Sequence, residues 1–236
     1  MNTFKVEPFS DIVKIPDEIL YNKSLLHLNL EDSFELSDFE GLTTLSNLES
    51  LNICNCNLSS LPEELSTLKR VKKIDIGLNP KIGDFNFPVE LKNIEELSLT
   101  NLTLTKLPAG LDQLTHLKYL CLSNNPNLSD FSGIDQFKNL EVLELMNCNL
   151  TEIPKEVFML KSLRRLQISY NEKLTDLKNI EQLSQLEFLA VFCCNLKSLP
   201  SELTLLNSLK ELYIGENNKI KKSKILDDLI DVSVHL

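Results

Sequence analysis

Six cysteines, three histidines and 34 carboxylate side chains are the groups in this 236-residue chain that could do chemistry. Thiolates would hold zinc or pair as disulfides, histidines would move protons, and grouped aspartates would hold calcium. Cys56, Cys148 and Cys194 fall at one position of an internal repeat, four and two steps apart. If each step is a strand roughly 5 Å from the next, these thiols stand about 20 and 10 Å apart, beyond the ~7 Å that a disulfide spans between Cα atoms. Cys54 beside Cys56, and Cys193 beside Cys194, are too few ligands for a structural zinc site, which takes four. Free thiols in a reducing compartment are the expected state. Asp38, Asp84, Asp130 and Asp176 recur once per double step, about 10 Å apart, whereas calcium needs at least six oxygens at one point. His27, His116 and His235 are scattered, with no nucleophile or carboxylate at a defined spacing. Glu141 and Glu144 resemble paired acids, but an open sheet would not exclude water from them. The six glycines are isolated and form no phosphate loop. The expectation is a chain without catalytic residues, metal site or cofactor.

The elements that must carry these residues follow from the repeat. The stretch LEVLELMNCNLTEIPKEVFMLKS, beginning at Leu140, returns 46 residues away in both directions, with Leu140, Leu143 and Leu145 matched by Ile94, Leu97 and Leu99 and by Leu186, Leu189 and Val191. A related copy lies halfway between, so the step is 23. Nine repeats begin at Leu25, Leu48, Val71, Ile94, Leu117, Leu140, Leu163, Leu186 and Leu209, each apolar at positions 1, 4 and 6. Positions 3 to 6 read as a short strand that turns 4 and 6 inward and 3 and 5 outward. Stacked, these strands make one parallel sheet.

Two repeat types alternate. One carries Pro62, Pro108, Pro154 and Pro200, continued upstream by Pro16. Proline suits the first turn of a helix, and the acidic residues that follow favour a helix N-terminus, so short helices are expected there. The other carries Asp38, Asp84, Asp130 and Asp176 as turn or cap residues, each followed by Phe39, Phe85, Phe131 or Leu177 as a core ladder.

The pattern LxxLxLxx(N/C)x(L) followed by LxxLPxxLxxLxxL resembles the leucine-rich repeat family over nearly the whole chain. The resemblance implies an α/β fold: a right-handed solenoid, or horseshoe, with a concave parallel sheet, a convex side of short helices and turns, and recognition of protein partners on the concave face. It also implies that position 9, held by Asn79, Asn125, Asn171 and Asn217 or by Cys56, Cys148 and Cys194, bonds the backbone of neighbouring turns. Ser33 and Leu102 depart from this, so the turn at Leu102 must be satisfied in another way.

We divide the chain, as a single domain 1–236, into an N-terminal cap (1–24), nine repeats (25–220) and a C-terminal cap (221–236). Ile12, Ile15, Pro16 and Ile19 supply half a repeat to the first cap, and Phe4 and Val6 alternate as a cap strand would. Ile225, Leu226, Leu229 and Ile230 at helical spacing predict a capping helix or turn at the other end. The formal charge of −10 argues against nucleic acid, and Lys219, Lys221, Lys222 and Lys224 read as a solvated end. No apolar run reaches the ~18 residues of a membrane span, and MNTFKVEPFS is not a secretory leader. The cytoplasm is the expected location, with signal-less secretion left open.

Function is sought on the outward positions, because packing alone explains the inward leucines. Position 2 alternates in sign from Glu49 and Lys72 through Arg164 and Glu187 to Lys210, a ladder for register and solubility. Position 3 changes from His27, Ser50, Lys73 and Glu96 to Tyr119, Val142, Arg165 and Phe188. Cys121, Ala190 and Tyr213 at position 5, Met146 and Phe192 at position 7 and Tyr170 at position 8 complete an apolar cluster over repeats five to nine. Glu144, Arg164 and Gln167 would add polar contacts. The candidate partner-binding residues are Tyr119, Val142, Glu144, Met146, Arg165, Tyr170, Phe188, Phe192 and Tyr213. The expected function is non-catalytic binding of a protein partner. The alternative is a self-associating structural protein, or a secreted host-interacting protein of a microbe, with the patch covered by a second copy or by the chain's own C-terminal segment.

Overall fold

The computed structural model describes residues 2–5, 11–217, 220 and 224–236. Val6, Lys219, Lys221 and Lys222 lie outside the described residues. Among the described residues eleven strands of three residues form one sheet: β1 Thr3–Lys5, β2 His27–Asn29, β3 Ser50–Asn52, β4 Lys73–Asp75, β5 Glu96–Ser98, β6 Tyr119–Cys121, β7 Val142–Glu144, β8 Arg165–Gln167, β9 Phe188–Ala190, β10 Glu211–Tyr213 and β11 Ser233–His235. Every neighbouring pair is parallel and in register, so Leu120, Leu143 and Leu166 stand side by side. Each position-4 residue from Leu28 to Leu212 is at most 3% exposed. One continuous core runs the length of the stack.

The convex side carries the expected short helices, but their placement departs from expectation. Its helices are 3₁₀, not α: η1 Glu40–Thr44, η2 Glu63–Thr67, η3 Leu111–Gln113, η4 Ile134–Gln136, η5 Lys155–Met159, η6 Ile180–Gln182 and η7 Ser201–Leu205. They occur in both repeat types. Twenty-three residues must return the chain to the sheet, and runs of three to five suit the tighter helix. Pro62, Pro154 and Pro200 sit one residue before their helices, in extended backbone, rather than in the first turn. In repeat four the helix starts after Gly110 at φ 90°, where a Cβ would lie 2.4 Å from the Phe87 carbonyl oxygen. Asp38, Asp130 and Asp176 accept the amide two residues on, as turn residues do, whereas Asp84 reaches Thr105 of the next repeat. Phe39, Phe131 and Leu177 are buried; Phe85 is half-buried, and Phe87 fills the core beside it.

Both ends are closed by strands. Ile15 and Ile19 are buried, and the short helix α1 (Asp17–Leu20) follows Pro16. At the other end α2 (Ile225–Asp228) is joined by β11, which pairs with β10, so the cap is more than the expected helix or turn. The alternation in Val232, Ser233, Val234 and His235 carried that signal.

Position 9 does what the resemblance implied. The Asn171 amide donates to the carbonyls of Leu145 (2.9 Å) and Ile168 (2.7 Å), while its oxygen accepts the Cys148 and Leu150 amides (3.0 and 2.9 Å). Asn79 and Asn125 repeat the pattern. Leu102 needs no polar side chain. The Ile76 carbonyl takes the Asn79 amide, the Thr100 carbonyl takes the Leu78 N–H, and the Leu102 N–H donates to Asn125. Position 8 was not foreseen as special, yet in all nine repeats it is left-handed, with φ between 51° and 64°. Asparagine, which tolerates this backbone, occupies four of these positions: Asn55, Asn101, Asn124 and Asn147.

All six cysteines are free. Burial pushes Cys54 up to about 12 and Cys56, Cys148 and Cys194 up to about 11. Unfolded thiols ionise near 9.0, so above that pH the folded chain holds more protons than the unfolded one. Stability is therefore complete below pH 9 and falls as pH rises toward 12. Urea midpoints at about pH 8 and about pH 10.5 should show the fall; a steady midpoint would contradict it.

Candidate functional site

The register that buries position 4 places positions 3 and 5 on the opposite face, and from β6 onward Tyr119, Cys121, Val142, Phe188, Ala190 and Tyr213 appear there among Glu144, Arg165, Gln167 and Glu211. Arg165, Phe188, Tyr213 and His235, on four consecutive strands, form one stack. The Arg165 guanidinium lies 3.5 Å from the Phe188 ring centroid, Phe188 and Tyr213 are 5.2 Å apart, and Tyr213 and His235 are stacked at 4.0 Å. Phe188 is only 9% exposed, so its neighbours cover it and the solvent side of the stack presents Arg165. A second pair, Tyr170 and Phe192, meets edge to face at 5.6 Å.

Tyr119, Val142, Glu144 and Met146 are half-buried. Burial, then the neighbouring Cys121 and Glu144, holds the Tyr119 hydroxyl well above the ordinary tyrosine range. Gln167 Nε2 donates to Met146 Sδ at 2.8 Å. Tyr170 stands at the rim of the face, 47% exposed, in the left-handed turn that follows β8. The structure thus resolves the nine candidates into a covered stack, a rim pair and a half-buried patch along the preceding strands β6 and β7. His235, dismissed as isolated in the sequence, belongs to the stack because β11 pairs with β10.

The charge ladder flanks this surface. Lys72 pairs with Glu49 (3.4 Å), Lys118 with Glu95 (2.8 Å), and Arg164 and Lys210 both with Glu187. These pairs are exposed and contribute little individually. His27 lies on exposed β2, and His116 lies beside Glu95 near Arg70 and Lys72, far in the fold from His235. Among the described residues no three of His, Cys, Asp and Glu come together to hold a metal ion, and no helix is long and apolar enough to cross a membrane.

With that geometry in view, residues 138–196 match the family described as Leucine rich repeat, and residues 47–68 match a second family of the same description. The chain is a leucine-rich repeat protein. Its fold is the α/β horseshoe. The structure is similar to that of an internalin (inlF) from Listeria monocytogenes str. 4b F2365, with a TM-score of 0.62 at 18% identity over 100% of this chain and 86% of that one. An internalin C2 (inlC2) from the same organism gives a TM-score of 0.58 at 20% identity, over 72% of each chain. These likenesses are of fold. No curated protein sequence matches the chain. Leucine-rich repeat proteins commonly mediate protein–protein interaction and are generally non-enzymatic recognition modules.

Proposed function

We propose that the chain is a non-catalytic recognition module that binds a protein partner on the concave face of repeats five to nine. The observation that carries this is the change of that face at β6. Before it the position-3 residues are His27, Ser50, Lys73 and Glu96, the last two joined as an ion pair; from β6 to β9 they are Tyr119, Val142, Arg165 and Phe188. Aromatic, Met and Arg residues are enriched at the centre of interfaces, and a rigid sheet loses little further backbone freedom on binding. Glu144 and Gln167 supply polar contacts beside Met146.

Tyr170 adds support. Its left-handed backbone is unfavourable for a bulky side chain, and repeats five and six place Asn124 and Asn147 at the same position. A tyrosine kept there at some cost to the fold serves a surface role.

A partner recovered with the intact protein should bind the Tyr170→Ala, Phe192→Ala variant roughly 30-fold more weakly in calorimetry with purified components. Unchanged affinity with an unchanged circular dichroism spectrum would remove this face from consideration. Self-association through the same patch is the alternative, and sizing over a range of concentrations separates the two: a monomer throughout rules it out.

A further inference from the structure

The flank that leads from each sheet turn to the convex side is held together by main-chain hydrogen bonds, but only in blocks. The cap joins repeat one through Ser37 and Asp38 N–H to the Val13 carbonyl, both 3.1 Å. Repeat three joins four through Phe87 N–H to the Ala109 carbonyl (2.7 Å), and four joins five through Ser129 N–H to Thr105 (3.0 Å) and Leu107 N–H to Asp130 (3.2 Å). Repeat seven joins eight through Lys197 N–H to the Thr175 carbonyl at 3.0 Å. Repeat six joins neither neighbour. Among the described residues the main-chain groups of Thr151, Glu152 and Ile153 have no hydrogen-bond partner. Repeat two shows the same interruption at Ser59 and Ser60.

A groove of about 600 Å³ opens at this break in repeat six, away from the concave face. Its floor is apolar: Phe131, Leu150, Ile153 and Phe158 each keep only 4 to 6% of their surface exposed. Its rim carries Asp130, Glu152, Glu156 and Asp176 against Lys155 and Lys178. Lys178 pairs with Asp176 (3.4 Å), which leaves Glu152 and Glu156 without an ion pair among the described residues.

We propose that the flank of repeat six is a docking edge for an extended, basic peptide segment of another protein, added as a strand beside residues 151–153. Free N–H and C=O groups on a short stretch, whose counterpart in repeat four makes a parallel bridge between Lys106 and Asp130, are what strand addition uses for affinity, and the alternating pockets beside them give specificity. Apolar side chains of the added strand would face Ile153 and Phe131, and its alternate lysines or arginines would face Glu152 and Glu156. A neutral or acidic segment would satisfy the main chain but leave those carboxylates unmatched. The site is separate from the concave face.

The test titrates acetyl-Lys-Val-Lys-Val-Lys-Val-amide into the ¹⁵N-labelled full chain. Amide signals of Thr151, Glu152 and Ile153 should move together with those of Ser129 and Lys178. The same peptide with alternate amides N-methylated should bind about tenfold more weakly, because one edge can no longer donate. The paired substitution Glu152→Lys, Glu156→Lys should weaken the unmethylated peptide by a similar factor, while Phe192→Ala should leave it unchanged. Shifts confined to repeat two or to the concave face, equal binding of the methylated peptide, or no shift at millimolar peptide would each overturn the proposal. So would movement of these same amides on concentrating the protein alone, which would mark a second copy as the occupant.

Discussion

Replacing Asn171 by alanine should destabilise the protein by roughly 4 to 6 kcal/mol. The Cys148 and Leu150 amides and the Leu145 carbonyl have no other partner, and the Ile168 carbonyl keeps only the Cys194 thiol at 3.5 Å. An unpaired buried backbone group costs about 1 to 3 kcal/mol, and three are created at once. Cys148→Ala is the control. Its thiol bonds Leu122 and Met146 carbonyls (3.3 and 3.5 Å), but these also accept Asn125 Nδ2 and the Asn124 N–H. Cys148→Ala should therefore cost only about 1 kcal/mol. Urea unfolding of the two variants reads the contrast, and equal losses would refute the account.

Leu143→Ala should cost roughly 2 to 5 kcal/mol and leave partner affinity untouched in whatever fraction remains folded. Leu143 is 0% exposed and lies in register between Leu120 and Leu166, so neither adjacent repeat can move in to fill the space without breaking its own ladder. Its neighbours in sequence, Val142 and Glu144, point to the other face. Substituting them should do the reverse, with a small effect on unfolding and a measurable one on binding. A Leu143→Ala protein that binds its partner more weakly at saturating folded fraction would mean that the two faces are coupled, contrary to this reading.

Much of the architecture was legible because a solenoid repeats one local solution. The 23-residue step, the inward leucines and the asparagine and cysteine at position 9 each follow from what one turn of chain must bury, and nine turns make the same demand. The candidate surface was legible only as a list. Period two told which residues face outward, but not that Phe188 would be covered by Arg165 and Tyr213, nor that His235 would close the stack, since those contacts join residues on neighbouring strands about one repeat apart in sequence. Proline was expected in the first turn of the short helices; it stands one residue earlier, as the extended residue from which the 3₁₀ turn starts.

By itself, then, the sequence determined the parallel sheet, the identity of its buried face and the run of apolar outward residues from Tyr119 to Tyr213. These depend on period and polarity, which are properties of the chain. Tertiary structure alone decided which outward rings are presented and which are covered, and that the flank of repeat six pairs with neither neighbour. The flank segments of repeats four and six are close in sequence, yet one is hydrogen-bonded and the other free. Pairing depends on where the neighbouring repeat places its carbonyl, and no single repeat encodes that.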